Sequence, residues 1–119
     1  MKTFDLIKQY KIFEKDINKR VLKVLSSGSY ILGENVKSFE NNARKYLATR
    51  YAVSCNSGTD ALVMSLRALN IGDNDQVITT PFTYFATSEA ISLVGATPIF
   101  ADINPHTFNI NPKKIEKLI

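Results

Sequence analysis

Apolar residues recur at steps of three and four through the first part of the chain. Tyr10, Phe13, Ile17, Val21 and Val24, with Leu25 beside them, predict an amphipathic helix from about Ile7 to Ser26, with lysines on its other face. Ser26-Ser27-Gly28-Ser29 ends it, and Tyr30-Ile31-Leu32-Gly33 is a short apolar link. A second helix is predicted from about Glu34 to Leu47, with Val36, Phe39, Ala43 and Tyr46 on one face. Beyond Leu47 the pattern changes. The β-prone run Tyr51 to Cys55 predicts a strand, and Ala61, Leu62, Leu66 and Leu69 predict a helix from Gly58 to Leu69. A turn at Ile71-Gly72-Asp73-Asn74-Asp75 leads to a predicted strand, Gln76 to Thr79, stopped by Pro81. A helix follows from about Tyr84 to Leu93, Gly95-Ala96 breaks it, and Thr97 to Ile103 predicts another strand. Asn104-Pro105 turns the chain, and Asn111-Pro112 opens a last helix, asparagine as cap and proline in the first helical position.

Strand and helix alternate from residue 51 onward, the signature of an α/β fold with a parallel sheet. At 119 residues the chain is read as a single partial domain, with residues 1–50 a helical element and residues 51–119 the start of the α/β part. The pattern stops at Ile119, inside the last helix, after three predicted strands. A parallel sheet is covered on both faces, so the expectation is a piece of something larger.

Composition removes several function classes. Hydrophobic residues at 45% and charged residues at 22% are those of an ordinary globular protein. No apolar run reaches membrane-spanning length, and Met1-Lys2-Thr3-Phe4-Asp5 has no signal-peptide core, so a cytoplasmic protein is expected. The lone Cys55 excludes an internal disulfide and a multi-cysteine metal site; at the end of a predicted strand it is expected to be a buried, inert thiol. The lone His106 is read as a loop residue. A net charge of +4 comes mostly from Lys8, Lys11, Lys15, Lys19, Arg20 and Lys23 on the first helix, which reads as a solvated face and not a nucleic-acid footprint.

Candidate chemistry sits where the predicted strand Tyr51 to Cys55 runs through Asn56-Ser57-Gly58-Thr59-Asp60 directly into a helix. A helix N-terminus carries unpaired N–H groups and the positive end of the helix dipole. Gly58 allows a close backbone approach, and Ser57 and Thr59 add hydroxyl donors, so the turn suits a phosphate. The same residues equally suit a plain helix cap at Asn56 or Ser57 with no ligand. The next strand ends in Thr79-Thr80-Pro81-Phe82-Thr83-Tyr84-Phe85-Ala86-Thr87, and ligands of open α/β sheets sit at the carboxyl ends of strands. A flat phosphorylated ligand could stack on Tyr84 or Phe82; taken singly, each aromatic reads as core.

These segments, taken in order, resemble the DegT–DnrJ–StrS family. Asn56-Ser57-Gly58-Thr59-Asp60-Ala61-Leu62, Ile71-Gly72-Asp73 and Val77-Ile78-Thr79-Thr80-Pro81-Phe82-Thr83-Tyr84-Phe85-Ala86-Thr87 are similar to consecutive family motifs. So are Gly95-Ala96-Thr97-Pro98-Ile99-Phe100-Ala101-Asp102-Ile103, Asn109-Ile110-Asn111-Pro112, Ser29-Tyr30-Ile31-Leu32-Gly33 and Asp5-Leu6-Ile7-Lys8-Gln9-Tyr10. The resemblance runs through essentially all 119 residues.

It implies the N-terminal part of the large domain of an aspartate-aminotransferase-type (fold type I) transferase, preceded by two helices, with an incomplete parallel sheet. Such enzymes use pyridoxal 5'-phosphate, and most move an amino group, usually from glutamate, to a nucleotide-linked keto sugar for polysaccharide, lipopolysaccharide or antibiotic biosynthesis. A minority are dehydratases, and homodimers are implied. By the resemblance, Gly58 and Thr59 hold the cofactor phosphate, Tyr84 stacks on its ring, and Tyr30 lies near substrate or the dimer interface. The Schiff-base lysine and the aspartate facing the ring nitrogen are expected downstream of residue 119; the eleven lysines present match no such motif, so no catalytic residue is assigned. The fold also implies that the strands at 76–79 and 97–103 pair with each other while Tyr51 to Cys55 pairs with neither. A non-catalytic remnant acting only through partner contacts is the alternative.

Overall fold

The computed structural model describes residues 4–119. The described residues fall into two compact units, 4–53 and 54–119.

The first unit holds α1 (Leu6–Ser27) and α2 (Glu34–Tyr46). Asp5 caps α1, its carboxylate accepting from the Lys8 amide at 3.1 Å, and Gly28 closes the other end at φ 66°. Glycine enters that left-handed region without a Cβ penalty, which is why the helix stops there. Gly33 precedes α2 without a side-chain cap, and Glu34 sits in its first turn, paired with Lys37 at 2.9 Å. The apolar stripe predicted on α1 forms but stays open to solvent: Phe13, Ile17, Val21 and Leu25 are all exposed, and neither helix has a buried residue.

The second unit contains α3 (Gly58–Ala68), β1 (Gln76–Thr79), α4 (Ala86–Leu93), β2 (Thr97–Phe100) and α5 (Pro112–Ile115). Strands β1 and β2 pair in parallel, Gln76 opposite Thr97 and Thr79 opposite Phe100. Parallel neighbours need a crossover, and α4 supplies it, packing on both strands and on α3. The core is built at that junction from Ala86, Ala90, Ile91, Ala96 and Ala101, with Ala90 0% exposed. Small side chains there let helix and sheet approach closely.

Turn chemistry follows the sequence. The Gly72 amide donates to Asp75 Oδ2 at 2.8 Å and the Asp75 amide to the Gly72 carbonyl at 3.1 Å, closing the turn before β1. Asn70 and Asn74 take positive φ, which asparagine tolerates. Gly95, at φ 90°, faces Asp73 so closely that a Cβ there would meet the Asp73 carboxylate. Asn111 caps α5 by accepting from the Lys113 amide at 3.0 Å, with Pro112 in the first helical position.

Four expectations are corrected. Tyr51 to Cys55 is not a strand: a strand exists only through a paired neighbour, and among the described residues no segment pairs with it. Cys55 is consequently exposed, not buried. The last strand ends at Phe100, three residues early, and Ile103 instead makes an isolated antiparallel bridge to Ile110. The helix expected from Tyr84 starts at Ala86, so Tyr84 and Phe85 belong to the connection that precedes it.

Candidate functional site

The turn after Asn56 resolves into a helix cap with a defined donor set. Ser57 is the N-cap of α3 in extended conformation, and its hydroxyl oxygen accepts from the Asp60 amide at 3.0 Å. The Ser57 carbonyl accepts from the Ala61 amide at 3.1 Å. The Asp60 bond satisfies one of the four orphan amides of the helix start, residues 57–60, and the Ala61 bond is the first of the helix's own ladder. Of the other three, those of Gly58 and Thr59 have no acceptor among the described residues. Around Gly58 the position of an added Cβ has no atom within 4 Å, so the backbone is open there. Thr59 is half-buried and carries a hydroxyl beside the two free amides.

The Ser57 hydroxyl does not join them. Its proton goes to Asp60 Oδ2 at 2.8 Å while its oxygen accepts from the Asp60 amide, so donor and acceptor are both engaged inside the first turn. The expectation of two hydroxyl donors thus becomes one, Thr59. Ser-x-x-Asp at the head of a helix signals the bond from the Asp60 amide to the Ser57 hydroxyl oxygen, whereas the Ser57 proton going to the Asp60 carboxylate is a feature of the geometry.

Tyr84 lies five residues after the end of β1 and two before α4. Since β1 and β2 are parallel and α4 returns between them, the β1–α4 connection marks the carboxyl edge of the sheet. Tyr84 is 82% exposed and Phe85 71%, so both are solvent-facing rings and not core. Phe82 is exposed too, but its ring stacks on Phe108 at 5.7 Å between centroids, which commits one of its faces. Of the three aromatics, Phe82 has a ring partner among the described residues, while Tyr84 and Phe85 have none. The connection around it is held by the Phe82 amide donating to Thr80 Oγ1 at 3.1 Å and by contact of the Thr83 and Thr87 hydroxyls at 3.2 Å. Tyr30, in the first unit, lines an open concavity of about 350 Å³ with Lys23, Ser29 and Glu34, and its hydroxyl donates to the Leu25 carbonyl at 3.2 Å.

The fold is an α/β unit in which α3 begins with two backbone amides that have no acceptor among the described residues. The family model of the DegT/DnrJ/EryC1/StrS aminotransferases matches residues 11–119, and the chain belongs to that family. It is 40% identical over 115 residues to the UDP-2-acetamido-2-deoxy-3-oxo-D-glucuronate aminotransferase of Pseudomonas aeruginosa, covering 97% of this chain and 32% of that protein. The solved structure of a DegT DnrJ EryC1 StrS aminotransferase from Brucella abortus superposes with a TM-score of 0.91 at 39% identity, covering 98% of this chain and 31% of that one. NtdA from Bacillus subtilis, solved with bound cofactor PMP, gives 0.85 at 39% identity, over 88% of this chain and 24% of that one. The fold is therefore that of these aminotransferases, and the chain spans about three tenths of the relatives it matches.

Proposed function

We propose that these residues form the cofactor-phosphate cup and ring platform of a pyridoxal-phosphate-dependent aminotransferase that acts on a nucleotide-linked keto sugar, with glutamate as amino donor. The observation that carries the proposal is the pair of free amides at Gly58 and Thr59, beside the Thr59 hydroxyl and open space at Gly58. A phosphate dianion is what such a helix end favours, through N–H groups aimed at the oxygens and the dipole behind them. The donor set fits the cofactor phosphate, and the exposed Tyr84 ring offers a flat apolar face for a pyridine ring.

Within this reading, Gly58 and Thr59 bind and orient the cofactor through its phosphate. Tyr84 fixes the plane of its ring and keeps water off that face. The bound group supplies an electron sink for amino transfer. None of the eleven lysines is assigned the covalent role. Homodimerisation and a cytoplasmic location complete the reading, and both rest on the family resemblance and composition. Among the described residues no helix is long and apolar enough to cross a membrane.

Pyridoxal phosphate titrated into the purified chain, followed by absorbance and borohydride trapping, tests the proposal. Saturable binding displaced by inorganic phosphate, without a trapped adduct, is expected. A folded chain that binds no cofactor would refute the cup. A stoichiometric adduct at a single lysine would overturn the absence of a covalent lysine here.

A further inference from the structure

We infer that Phe108 is a positioning residue: its ring holds the connection between β1 and α4, and with it the Tyr84 ring, at the carboxyl edge of the sheet. The inference rests on the place given to Tyr84 above and concerns what keeps that ring there. The connection has no regular structure, and the hydrogen bonds within it are short-range. The Phe82 amide donates to Thr80 Oγ1 and the Thr87 amide to the Tyr84 carbonyl, both at 3.1 Å. The Thr83 and Thr87 hydroxyls meet at 3.2 Å. Such bonds shape the segment without tying it to another element. The stack of Phe82 on Phe108 does tie it, with centroids 5.7 Å apart and planes 22° from parallel. Phe82 lies two residues before Tyr84, so a ring fixed there limits how far the backbone at Tyr84 can swing. The contact lies wholly within residues 54–119, whatever else surrounds the site in longer relatives.

The segment that carries Phe108 is itself fixed to the sheet. The Ala101 amide, just past β2, donates to the Thr79 carbonyl at 2.8 Å, and the Asn111 amide donates to the Asp102 carbonyl at 3.0 Å. Ile103 and Ile110 bridge at its neck. Inside it, the Asn104 amide donates to the Asn109 carbonyl and the Phe108 amide to the Asn104 carbonyl, both at 2.8 Å. Phe108 takes φ 60° there, a left-handed conformation that a bulky residue adopts at a steric cost. Glycine would enter that region without strain, and the bonds of the loop are backbone bonds that glycine also makes. Backbone geometry thus favours glycine at 108. The phenylalanine is explained by its ring, and the ring's partner is Phe82. A strained residue in a well-bonded segment points to the work of its side chain.

The test is NMR of the 119-residue chain, with amide hydrogen exchange, urea unfolding and titration of pyridoxal phosphate and, separately, inorganic phosphate. The variants are Phe108→Gly, Phe108→Ala, Phe108→Tyr, Tyr84→Ala and the Phe108→Gly/Tyr84→Ala pair. Wild type should show a nuclear Overhauser effect between the Phe82 and Phe108 rings. Glycine and alanine both remove the ring, but only glycine relieves the strain, so Phe108→Gly should be the more stable of the two. Both should nevertheless speed exchange of the Phe82 and Thr87 amides about two- to tenfold, the scale of one aromatic pair, with Phe108→Tyr restoring wild-type rates. The Ala90 and Ile91 amides of the α4 core should not respond. Pyridoxal phosphate affinity should fall in Phe108→Gly by no more than Tyr84→Ala loses, with inorganic phosphate unaffected and no further loss in the pair. A residue that only stabilised the fold would weaken both probes, with or without Tyr84. No ring-to-ring effect in wild type, unchanged Phe82 and Thr87 exchange in folded Phe108→Gly, or equal acceleration at Ala90 and Ile91 overturns the inference. So does an affinity loss that survives in full in the Tyr84→Ala background. A folded wild type that binds no pyridoxal phosphate, with exchange responding as expected, refutes the ring platform and upholds the clamp.

Discussion

Gly58→Ala separates the helix from the cup it caps. Gly58 is the first residue of α3, its φ lies outside the left-handed region, and no atom sits within 4 Å of the position of an added Cβ. Among the described residues nothing resists the methyl group. The substitution also reduces the freedom of the unfolded backbone, which stabilises compatible sites by about 0.4–1 kcal/mol. Stability should therefore be equal to wild type or slightly higher. Phosphate binding should move the other way. A methyl group filling the open space keeps the phosphate from closing on the Gly58 amide. Loss of one hydrogen bond to a charged acceptor costs about 1.5–3 kcal/mol, or about tenfold to a hundredfold in affinity. Urea unfolding followed by circular dichroism reads the first effect, and titration of pyridoxal phosphate by absorbance reads the second. A variant that binds as tightly as the wild type would refute the argument that Gly58 is there for close approach. One that loses binding and stability together would show that the space is not free.

Three further outcomes follow from the same geometry. Tyr84→Ala should leave stability within about 0.5 kcal/mol, because the ring is exposed, yet weaken cofactor binding about two- to tenfold through loss of the stack, with Tyr84→Phe retaining most of it; equal binding by all three in the same titration would remove Tyr84 from the site. Ile91→Ala, at a side chain only 3% exposed in the α4 core, should destabilise the second unit by about 2–5 kcal/mol, read as a shift in the urea midpoint. The Glu34–Lys37 pair sets a pH dependence at the start of α2. Its hydrogen bond and charge attraction hold the Glu34 carboxyl below its ordinary value and the Lys37 ammonium above its own. Glu34 therefore contributes above the ordinary carboxyl value and loses that contribution as pH falls through its depressed one; Lys37 contributes below the ordinary lysine value and loses it as pH rises through its elevated one. Lys37→Met should return the Glu34 titration upward in an NMR pH series, and added salt should shrink the wild-type shift, since both groups are exposed.

Local rules account for the elements whose stabilisation is local. The period of α1, the glycine stop at Gly28, the strand Gln76–Thr79 and the asparagine–proline start of α5 were all legible, because caps, turns and amphipathic stripes act within a few residues. The helix start at Gly58, capped by Ser57, was legible for the same reason. Tertiary structure decided the rest. Tyr51 to Cys55 has the composition of a strand but no ladder, since pairing is a property of two segments; β1 and β2 pair with each other, as the resemblance implied, and no described segment pairs with 51–55. Cys55 is exposed as a direct consequence. The aromatics after β1 were indistinguishable in the sequence. Packing separated them, leaving Phe82 stacked on Phe108, twenty-six residues away, and Tyr84 open. The hydroxyls free at the start of α3 were also a matter of three dimensions: the residue types offered two, and the 2.8 Å bond from Ser57 to Asp60 leaves one. Sequence sets what each residue can donate, accept or bury; geometry decides which partner reaches it first.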